Sequence, residues 1–225
     1  MQNYKERFFE LALRKGNLRF GEFTLKSGRL SPYFFNAGGF DDGESLAVLA
    51  ECYADAIVGS GVQFDMLFGP AYKGIPLAAA TAVALAKGHG RNVGYAYNRK
   101  EAKNHGEGGV VVGAALGGRV LIIDDVISAG TSARESVELI DAAGARVAGI
   151  AIALDRQERG QGELSASQEL SQAHGIPCIA IATLDDLIQF LGESGKIEPQ
   201  SRGTDVALGA LDLDSIKRYR ERYGA

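Results

Sequence analysis

The sequence predicts an α/β fold with a mainly parallel sheet that is flanked by helices. Short apolar runs of strand type alternate with helical patterns along most of the 225 residues, which is typical of parallel sheets covered on both faces. The clearest strand, residues 120–123, has four apolar residues in succession, as expected for a strand buried on both faces. Asp124 and Asp125 follow directly, so the strand must end there, because an apolar interior could not solvate them.

The other elements follow from the same periodicities. Apolar residues recur with helical spacing in six segments, which are residues 4–14, 45–58, 75–87, 132–143, 184–191 and 213–222. Strands are predicted over 64–68, 93–97, 120–123, 147–154 and 177–181, and apolar structure resumes at 110–112. Residues 18–40 contain short strand-like segments interrupted by glycine and proline, and residues 192–211 are predicted to form a loop.

The segment that follows strand 120–123 has the features of a ribose phosphate site. Small residues lead to 132–135, Ser-Ala-Arg-Glu, which has the capping-box pattern of a helix start. The carboxyl ends of parallel strands are where open α/β sheets bind ligands. Backbone N–H groups of residues 128–132 would converge there on a phosphate, and the two aspartates would accept hydrogen bonds from vicinal hydroxyls. Alternatively, these residues could only cap a turn and a helix. That interpretation explains less well why two acids directly follow a buried strand.

Residues 68–74 lie between a predicted strand and a predicted helix. Their glycines permit positive φ angles and a close approach of the backbone to a phosphate, and Lys73 could neutralise a pyrophosphate oxygen. Taken alone, however, this segment favours an ordinary turn with a solvated lysine.

Residues 99–109 are basic within an acidic protein. Arg99, Lys100, Lys103 and His105 lie within seven positions, with glycines close by that can act as hinges. Cations of this kind stabilise the negative charge that develops on a leaving pyrophosphate, although a solvated surface charge run is the alternative. A metal-ligand role for His105 is disfavoured, because no second His or Cys lies near it in the sequence.

Composition excludes several classes of protein. A net charge of −4 argues against a nucleic-acid binder that relies on bulk electrostatics, and the longest apolar stretch, at 77–86, is far short of the roughly 20 residues of a membrane span. The charged amino terminus does not resemble a signal peptide. Cys52 and Cys178 are far apart and form no disulfide framework or metal spacing, which suits a reducing cytoplasm.

Four segments together resemble one family. Residues 120–132 match the phosphoribosyl-diphosphate (PRPP) signature of type I phosphoribosyltransferases. Residues 23–36 resemble the amino-terminal hood of the orotate phosphoribosyltransferases, 99–109 their mobile catalytic loop and 154–160 their orotate-binding segment. One departure is Ser128, where threonine is commoner in the family, and serine keeps the hydroxyl.

The resemblance implies a type I phosphoribosyltransferase fold with a small hood, in a single domain over 1–225 whose hood is built largely from about 1–40. It implies transfer of ribose 5-phosphate from PRPP to orotate, giving orotidine 5′-monophosphate and pyrophosphate in pyrimidine nucleotide synthesis. It also implies Mg²⁺ that is held mainly by PRPP and water, with no direct protein ligand, and a cytoplasmic homodimer whose loop 99–109 reaches the partner's site. No nucleic acid or membrane partner is implied.

The resemblance also assigns roles to individual residues. The residues implied to bind PRPP are Lys26, Tyr72, Lys73, Arg99, Lys100, Lys103, His105, Asp124, Asp125, Val126, Ile127, Ser128, Ala129, Gly130, Thr131 and Ser132. The residues implied to bind orotate are Lys26, Phe34, Phe35, Ser128 and Arg156. Lys103 is expected to be the leading catalytic cation, together with Lys100, His105, Asp124 and Asp125.

Two alternative functions stay open at this point. One is a phosphoribosyltransferase for another base, such as a purine, against which Phe34-Phe35 and Asp155-Arg156 argue. The other is a non-catalytic regulator that senses PRPP. The intact basic segment 99–109 favours an enzyme over such a regulator.

Overall fold

The structure is a computed structural model that describes residues 1–25, 27–103, 109–127, 130–160, 162–193 and 213–225. The helices are α1 Asn3–Arg14, α2 Gly43–Ser60, α3 Gly74–His89, α4 Thr131–Ala142, α5 Ala166–His174, α6 Leu184–Glu193 and α7 Leu213–Tyr223. The strands are β1 Leu18–Thr24, β2 Leu30–Phe35, β3 Met66–Gly69, β4 Gly94–Lys103, β5 Gly109–Gly113, β6 Arg119–Ile123, β7 Arg146–Asp155 and β8 Cys178–Thr183. The predicted alternation of strands and helices is therefore confirmed.

A six-stranded sheet forms the centre of the molecule, in the order β5-β4-β3-β6-β7-β8. Only β5 runs antiparallel to its neighbour, and the other pairings are parallel. Strand β6 lies between β3 and β7, and residues 120–123 are fully buried, as predicted. This arrangement brings the carboxyl ends of β3, β6 and β7 to the same edge of the sheet.

Helices cover both faces of the sheet. Helices α1, α2, α3, α6 and α7 pack on one face in the larger core cluster, while α4 and α5 pack on the other. Strands β1 and β2 form a separate antiparallel hairpin, which packs on α1 through rings such as Phe8 and Phe35, 5.8 Å apart, and on α7 through Tyr33 and Tyr219. None of the described helices is both long and apolar enough to span a membrane.

The start of α4 differs from the prediction. The N-cap is Gly130, with φ 69° and no side-chain cap, so the predicted capping box at Ser132 is wrong. The Ser132 hydroxyl instead donates to the Asp124 carboxylate at 3.2 Å. The charge-assisted bond to a carboxylate is stronger than the neutral bond that a capping hydroxyl accepts from a backbone N–H, and Gly130 adopts the left-handed turn without steric cost.

Strand β4 is longer than predicted. It continues through residues 99–103, where the sequence indicated the beginning of a loop, because β5 pairs with it antiparallel and supplies backbone partners up to Lys103 and Gly109. Residues 104–108 of the predicted loop lie outside the described residues. The remaining loop, predicted over 192–211, is shortened by α6, which ends at Glu193, and its other residues lie outside the described part.

Helix α5 has no counterpart among the predicted elements. Ser165 and Gln168 form a true capping box, in which the Gln168 backbone N–H donates to Ser165 Oγ at 3.2 Å and the Ser165 N–H donates to Gln168 Oε1 at 2.9 Å. The pattern Ser-x-x-Gln at 165–168 is the sequence signal that could have located this helix.

Candidate active site

The acidic pair lies where strand β6 ends, and its backbone is fixed by neighbouring elements. The Asp124 N–H donates to the Ala151 carbonyl at 3.0 Å, and the Asp125 carbonyl accepts from the Ala153 N–H at 2.9 Å, so pairing with β7 continues past the strand. From α2, the buried Tyr53 hydroxyl donates to the Asp124 carbonyl at 2.7 Å. The two carboxylates therefore project from a rigid support.

The two carboxylates are held in different directions. Asp124 accepts from the Asp125 N–H through Oδ1 at 2.9 Å and from Ser132 Oγ through Oδ2 at 3.2 Å, which turns it toward the start of α4. Asp125 is only 7% exposed and accepts from Lys73 Nζ at 2.6 Å, which turns it toward the turn before α3. One acid thus faces the predicted phosphate loop and the other faces the predicted pyrophosphate turn.

Burial raises the pKa of Asp124 to about 6. This value already includes the hydrogen bonds from the Asp125 N–H and from Ser132, which lower the pKa, and the negative charge of Asp125, which raises it. Ionised Asp124 therefore carries a free-energy cost in the folded protein. Such costs are common at sites that bind ligands.

We expect Asp124→Asn to stabilise the ligand-free protein in a pH-dependent manner. The pKa is 3.8 unfolded and about 6 folded, so the native state binds more protons between these values and wild-type stability falls as pH rises through them. The difference corresponds to about 3 kcal/mol at pH 8 and roughly half of that at pH 5. Asparagine removes the charge and keeps both hydrogen-bond partners, because the Ser132 hydroxyl can also accept. Urea unfolding at both pH values measures this, and a variant no more stable than wild type at pH 8 would contradict it.

A cavity of about 250 Å³ opens beside Asp124. Its lining consists of the acid, the end of the strand and the first turn of α4, namely Asp124, Val126, Ile127, Gly130, Thr131, Ser132 and Ala133. The helix N-terminus presents unpaired backbone N–H groups and the positive end of the helix dipole. The cavity is therefore suited to an anion such as a phosphate.

The turn between β3 and α3 is closely packed. A Cβ atom on Gly69 would lie 2.1 Å from the Gly74 carbonyl oxygen, and one on Gly74 would lie 2.5 Å from Pro70 Cδ. Neither glycine has a positive φ, so the positive φ angles that these glycines permit are not adopted here, and close packing is the reason for glycine. The Ala71–Tyr72 peptide bond is cis.

Side chains of β4 hold this turn against the sheet. Asn98 Oδ1 accepts from the Ala71 N–H at 2.8 Å, and the Lys100 ammonium lies 5.0 Å from the centre of the Tyr72 ring. Arg99, beside them, has a buried Nη1 without a hydrogen-bond partner among the described residues. A buried guanidinium nitrogen without an acceptor carries a free-energy cost, which an anionic ligand would relieve.

Arg156 lies at a second place, where β7 ends, and several groups surround it. Its Nε donates to Glu158 Oε1 at 2.8 Å, its Nη2 donates to Ser31 Oγ at 3.1 Å, and its guanidinium lies 4.3 Å from the centre of the Tyr33 ring. Burial lowers the pKa of Arg156, but the interactions with the Tyr33 hydroxyl and the Glu158 carboxylate outweigh burial and raise it. The group is thus a permanently charged, oriented fork for a planar anion.

Phe34 and Phe35 lie on opposite faces of β2. Phe34 packs on Phe23, 5.5 Å between ring centres, with Arg19 stacked over it, whereas Phe35 packs on Phe8 in the core. Adjacent strand residues must point apart. The structure therefore brings Arg156 together with Ser31 and Tyr33 rather than with these two rings, whose role in binding orotate stays a prediction.

Some predicted site residues cannot be placed. Lys26, His105, Ser128 and Ala129 lie outside the described residues, as does the side chain of Lys103. Conversely, sequence patterns missed Tyr53 and Glu158, which hydrogen-bond the predicted site residues Asp124 and Arg156. They also missed Asn98 and Tyr219, which hydrogen-bond Ala71 and Glu158 next to the predicted site residues. Only Glu158 carried a local signal, since it lies two positions after Arg156 within the recognised segment 154–160.

Comparison with known proteins agrees with this geometry. The family model of the phosphoribosyl transferase domain matches residues 41–167. The chain is 61% identical over 224 residues to an orotate phosphoribosyltransferase of Chromobacterium violaceum, covering 100% of this chain and 99% of the relative. It is 55% identical to that of Pseudomonas aeruginosa over 100% of both chains. The chain belongs to the orotate phosphoribosyltransferase family.

The fold agrees with membership of the orotate phosphoribosyltransferase family. A crystal structure of orotate phosphoribosyltransferase from Francisella tularensis matches with a TM-score of 0.82 and 42% identity, covering 97% of this chain and 99% of the other. The predicted type I phosphoribosyltransferase fold and the predicted family are both confirmed. Because an orotate phosphoribosyltransferase must bind a ribose phosphate and a carboxylated base, the cavity beside Asp124 and the fork of Arg156 become the two parts of its candidate site.

Proposed function

We propose that the protein transfers ribose 5-phosphate from PRPP to orotate, giving orotidine 5′-monophosphate and pyrophosphate for pyrimidine nucleotide synthesis. The observation that carries this proposal is the cavity beside Asp124, where a carboxylate and the N-terminus of α4 meet at the carboxyl end of the parallel sheet. Together these groups suit a ligand that carries both a hydroxylated ring, for the carboxylate, and a phosphate, for the helix N-terminus. Full-length relatives that are orotate phosphoribosyltransferases support the reaction.

In this proposal, Asp124 and Asp125 accept hydrogen bonds from the ribose hydroxyls, and residues 128–132 surround the 5′-phosphate. Displacement at the anomeric carbon builds positive charge on the ribose, which the neighbouring carboxylates stabilise. Lys73 Nζ donates to the Asp125 carboxylate at 2.6 Å. Bound PRPP offers a hydroxyl to Asp125 and a pyrophosphate oxygen to Lys73, so one ligand satisfies both partners of this ion pair.

The basic residues of β4 and the following segment act on the leaving group. Lys100 lies beside the turn that carries Tyr72 and Lys73, and Arg99, Lys103 and His105 complete the set by family resemblance. Cations placed where negative charge develops supply most of the stabilisation in reactions of this type.

The site also fits Mg²⁺. The carboxylate oxygens of Asp124 and Asp125 are hard ligands of the kind that Mg²⁺ takes, and Mg²⁺ usually binds through one or two carboxylates, substrate phosphates and water. We propose that PRPP and water hold most of the ion. When bound, it would neutralise charge on the pyrophosphate.

We further propose a homodimer in which residues 99–109 of one protomer reach the site of its partner. Val83 on α3 and Tyr95 on β4 are 54% and 40% exposed, which leaves apolar surface on two elements that pack together. A two-fold symmetric dimer would cover such surface. A reducing, cytoplasmic location is proposed on the ground that Cys52 and Cys178 are both free.

The direct test follows the loss of orotate absorbance on adding PRPP and Mg²⁺. We expect turnover with orotate and none of comparable rate with uracil, which lacks the carboxylate that Arg156 would bind. Turnover with a purine would reassign the base, and PRPP binding without turnover of any base would favour a regulator. Equal use of uracil and orotate would contradict the orotate assignment.

We expect Arg156→Lys to raise KM for orotate with little change in KM for PRPP. Lysine keeps the positive charge but lacks the planar fork, so one charged hydrogen bond to the carboxylate is lost. Such a bond contributes about 1.5–3 kcal/mol, or roughly ten- to a hundredfold in affinity. The matched control is Arg146→Lys at the opposite end of the same strand, β7, which should leave both KM values unchanged. An unchanged KM for orotate in Arg156→Lys would remove Arg156 from the base site.

A further inference from the structure

We propose that Glu158 and Tyr219 are positioning residues for the base: they hold the guanidinium of Arg156 in one orientation, so that helix α7 takes part in recognising the carboxylate. This inference rests on the proposed function, in which Arg156 binds orotate. It extends that function to the carboxyl-terminal helix, 61 residues further along the chain than Glu158.

A single carboxylate oxygen joins three donors. Glu158 Oε1 accepts from Nε of Arg156 at 2.8 Å, from Nη2 of Arg156 at 2.5 Å and from the Tyr219 hydroxyl at 2.9 Å. The side chains of Glu158 and Arg156 are only 15% and 18% exposed, so water competes weakly for these bonds. The Tyr219 hydroxyl therefore restricts the position of the oxygen that in turn restricts Arg156.

These contacts leave Nη1 of Arg156 for a ligand, and a carboxylate that replaced the Ser31 hydroxyl at Nη2 would meet the whole Nη1–Nη2 edge. Glu158 occupies the edge formed by Nε and Nη2, the Tyr33 ring lies under the guanidinium plane, and Ser31 takes the remaining Nη2 hydrogen. A guanidinium fixed on one edge and one face loses little rotational freedom on binding, which increases affinity for a planar carboxylate.

Helix α7 is attached independently of the Tyr219 hydroxyl. The Arg159 N–H donates to the Tyr223 carbonyl at 2.8 Å, the Ala225 N–H donates to the Gln157 carbonyl at 2.9 Å, and Arg220 forms an ion pair with Asp185 at 2.8 Å. The Tyr219 ring also packs on the Tyr33 and Tyr223 rings. Removing the hydroxyl alone should therefore leave the helix in place.

The test compares Tyr219→Phe with Tyr223→Phe. Tyr219→Phe should raise KM for orotate about three- to tenfold, less than the loss of a direct charged hydrogen bond to the substrate because the residue acts through Arg156, with KM for PRPP unchanged. Tyr223 lies on the same helix, and its hydroxyl makes no hydrogen bond among the residues that the structure describes, so Tyr223→Phe should change neither constant. In an Arg156→Lys background, Tyr219→Phe should change KM for orotate by less than about twofold, because the residue acts through Arg156.

A second variant keeps the proposal falsifiable if Tyr219→Phe lowers the melting temperature. Glu158→Asp keeps the charge but withdraws the carboxylate by one methylene, and it should also raise KM for orotate selectively. A purely structural role would instead shift both KM values together with the melting temperature, and that result would overturn the proposal. An orotate KM that responds to Arg156→Lys but to neither Tyr219→Phe nor Glu158→Asp would overturn this proposal alone. Absence of orotate turnover in the wild type would overturn the proposed function as well.

Discussion

Asp124→Asn and Asp125→Asn should each lower kcat by roughly ten- to a hundredfold, the value of one charge-assisted hydrogen bond that strengthens as the ribose approaches the transition state. Both side chains project from a backbone that β7 and Tyr53 hold in place. We therefore expect the backbone at both positions to keep its place in the variants. Asp125→Asn also removes the ion pair with Lys73. Initial rates at saturating PRPP and orotate measure the effect.

The control for this pair is Asp65→Asn. Asp65 also accepts hydrogen bonds from a basic side chain, Arg119, at 2.9 and 3.1 Å, but it lies at the amino end of the sheet, before β3. This variant should keep wild-type kcat. Wild-type kcat in both Asp124→Asn and Asp125→Asn would falsify their assignment to the ribose.

Two inactive variants should restore activity when their subunits are mixed. If Arg156 of one protomer works with Lys103 of its partner, a mixed dimer of Lys103→Ala and Arg156→Ala has one site with both defects and one intact site. Random assortment makes half of all dimers mixed, so activity should recover to about a quarter of wild type when the two sites are uncoupled. The activity of the mixture, relative to each variant alone, is the measurement.

The matched control mixes Lys103→Ala with the double variant Lys103→Ala/Arg156→Ala, because no pairing of these chains contains an intact site. Labelled subunits establish that exchange occurs in both mixtures. If exchange is complete and the first mixture is no more active than its components, the segment 99–109 acts within its own chain. The shared-site proposal would then fail, while the reaction itself would be unaffected.

The sequence predicted the parts of the protein that depend on neighbouring residues. Residues 120–123 form a buried strand because four apolar residues in a row have no solvated face, and Asp124 must end it because a carboxylate cannot remain unpaired in that interior. Alternation of such strands with helical patterns fixes the α/β class. The local sequence pattern predicted a capping box at Ser132, and this prediction was wrong. The Ser132 hydroxyl instead donates to the carboxylate of Asp124, eight residues away.

Tertiary structure alone decided which groups surround the acids and Arg156. Lys73 meets Asp125 across 52 residues, Tyr53 meets Asp124 across 71, and Tyr219 meets Glu158 across 61. No periodicity of two or 3.6 residues relates positions so far apart. They meet because parallel pairing brings the ends of separate strands to one edge of the sheet, because α2 packs on β7 and β8, and because α7 packs on β2 and α6. The sequence by itself thus determined the strand, its acids and the helix that follows, whereas the packing of distant elements determined the direction and charge environment of each side chain.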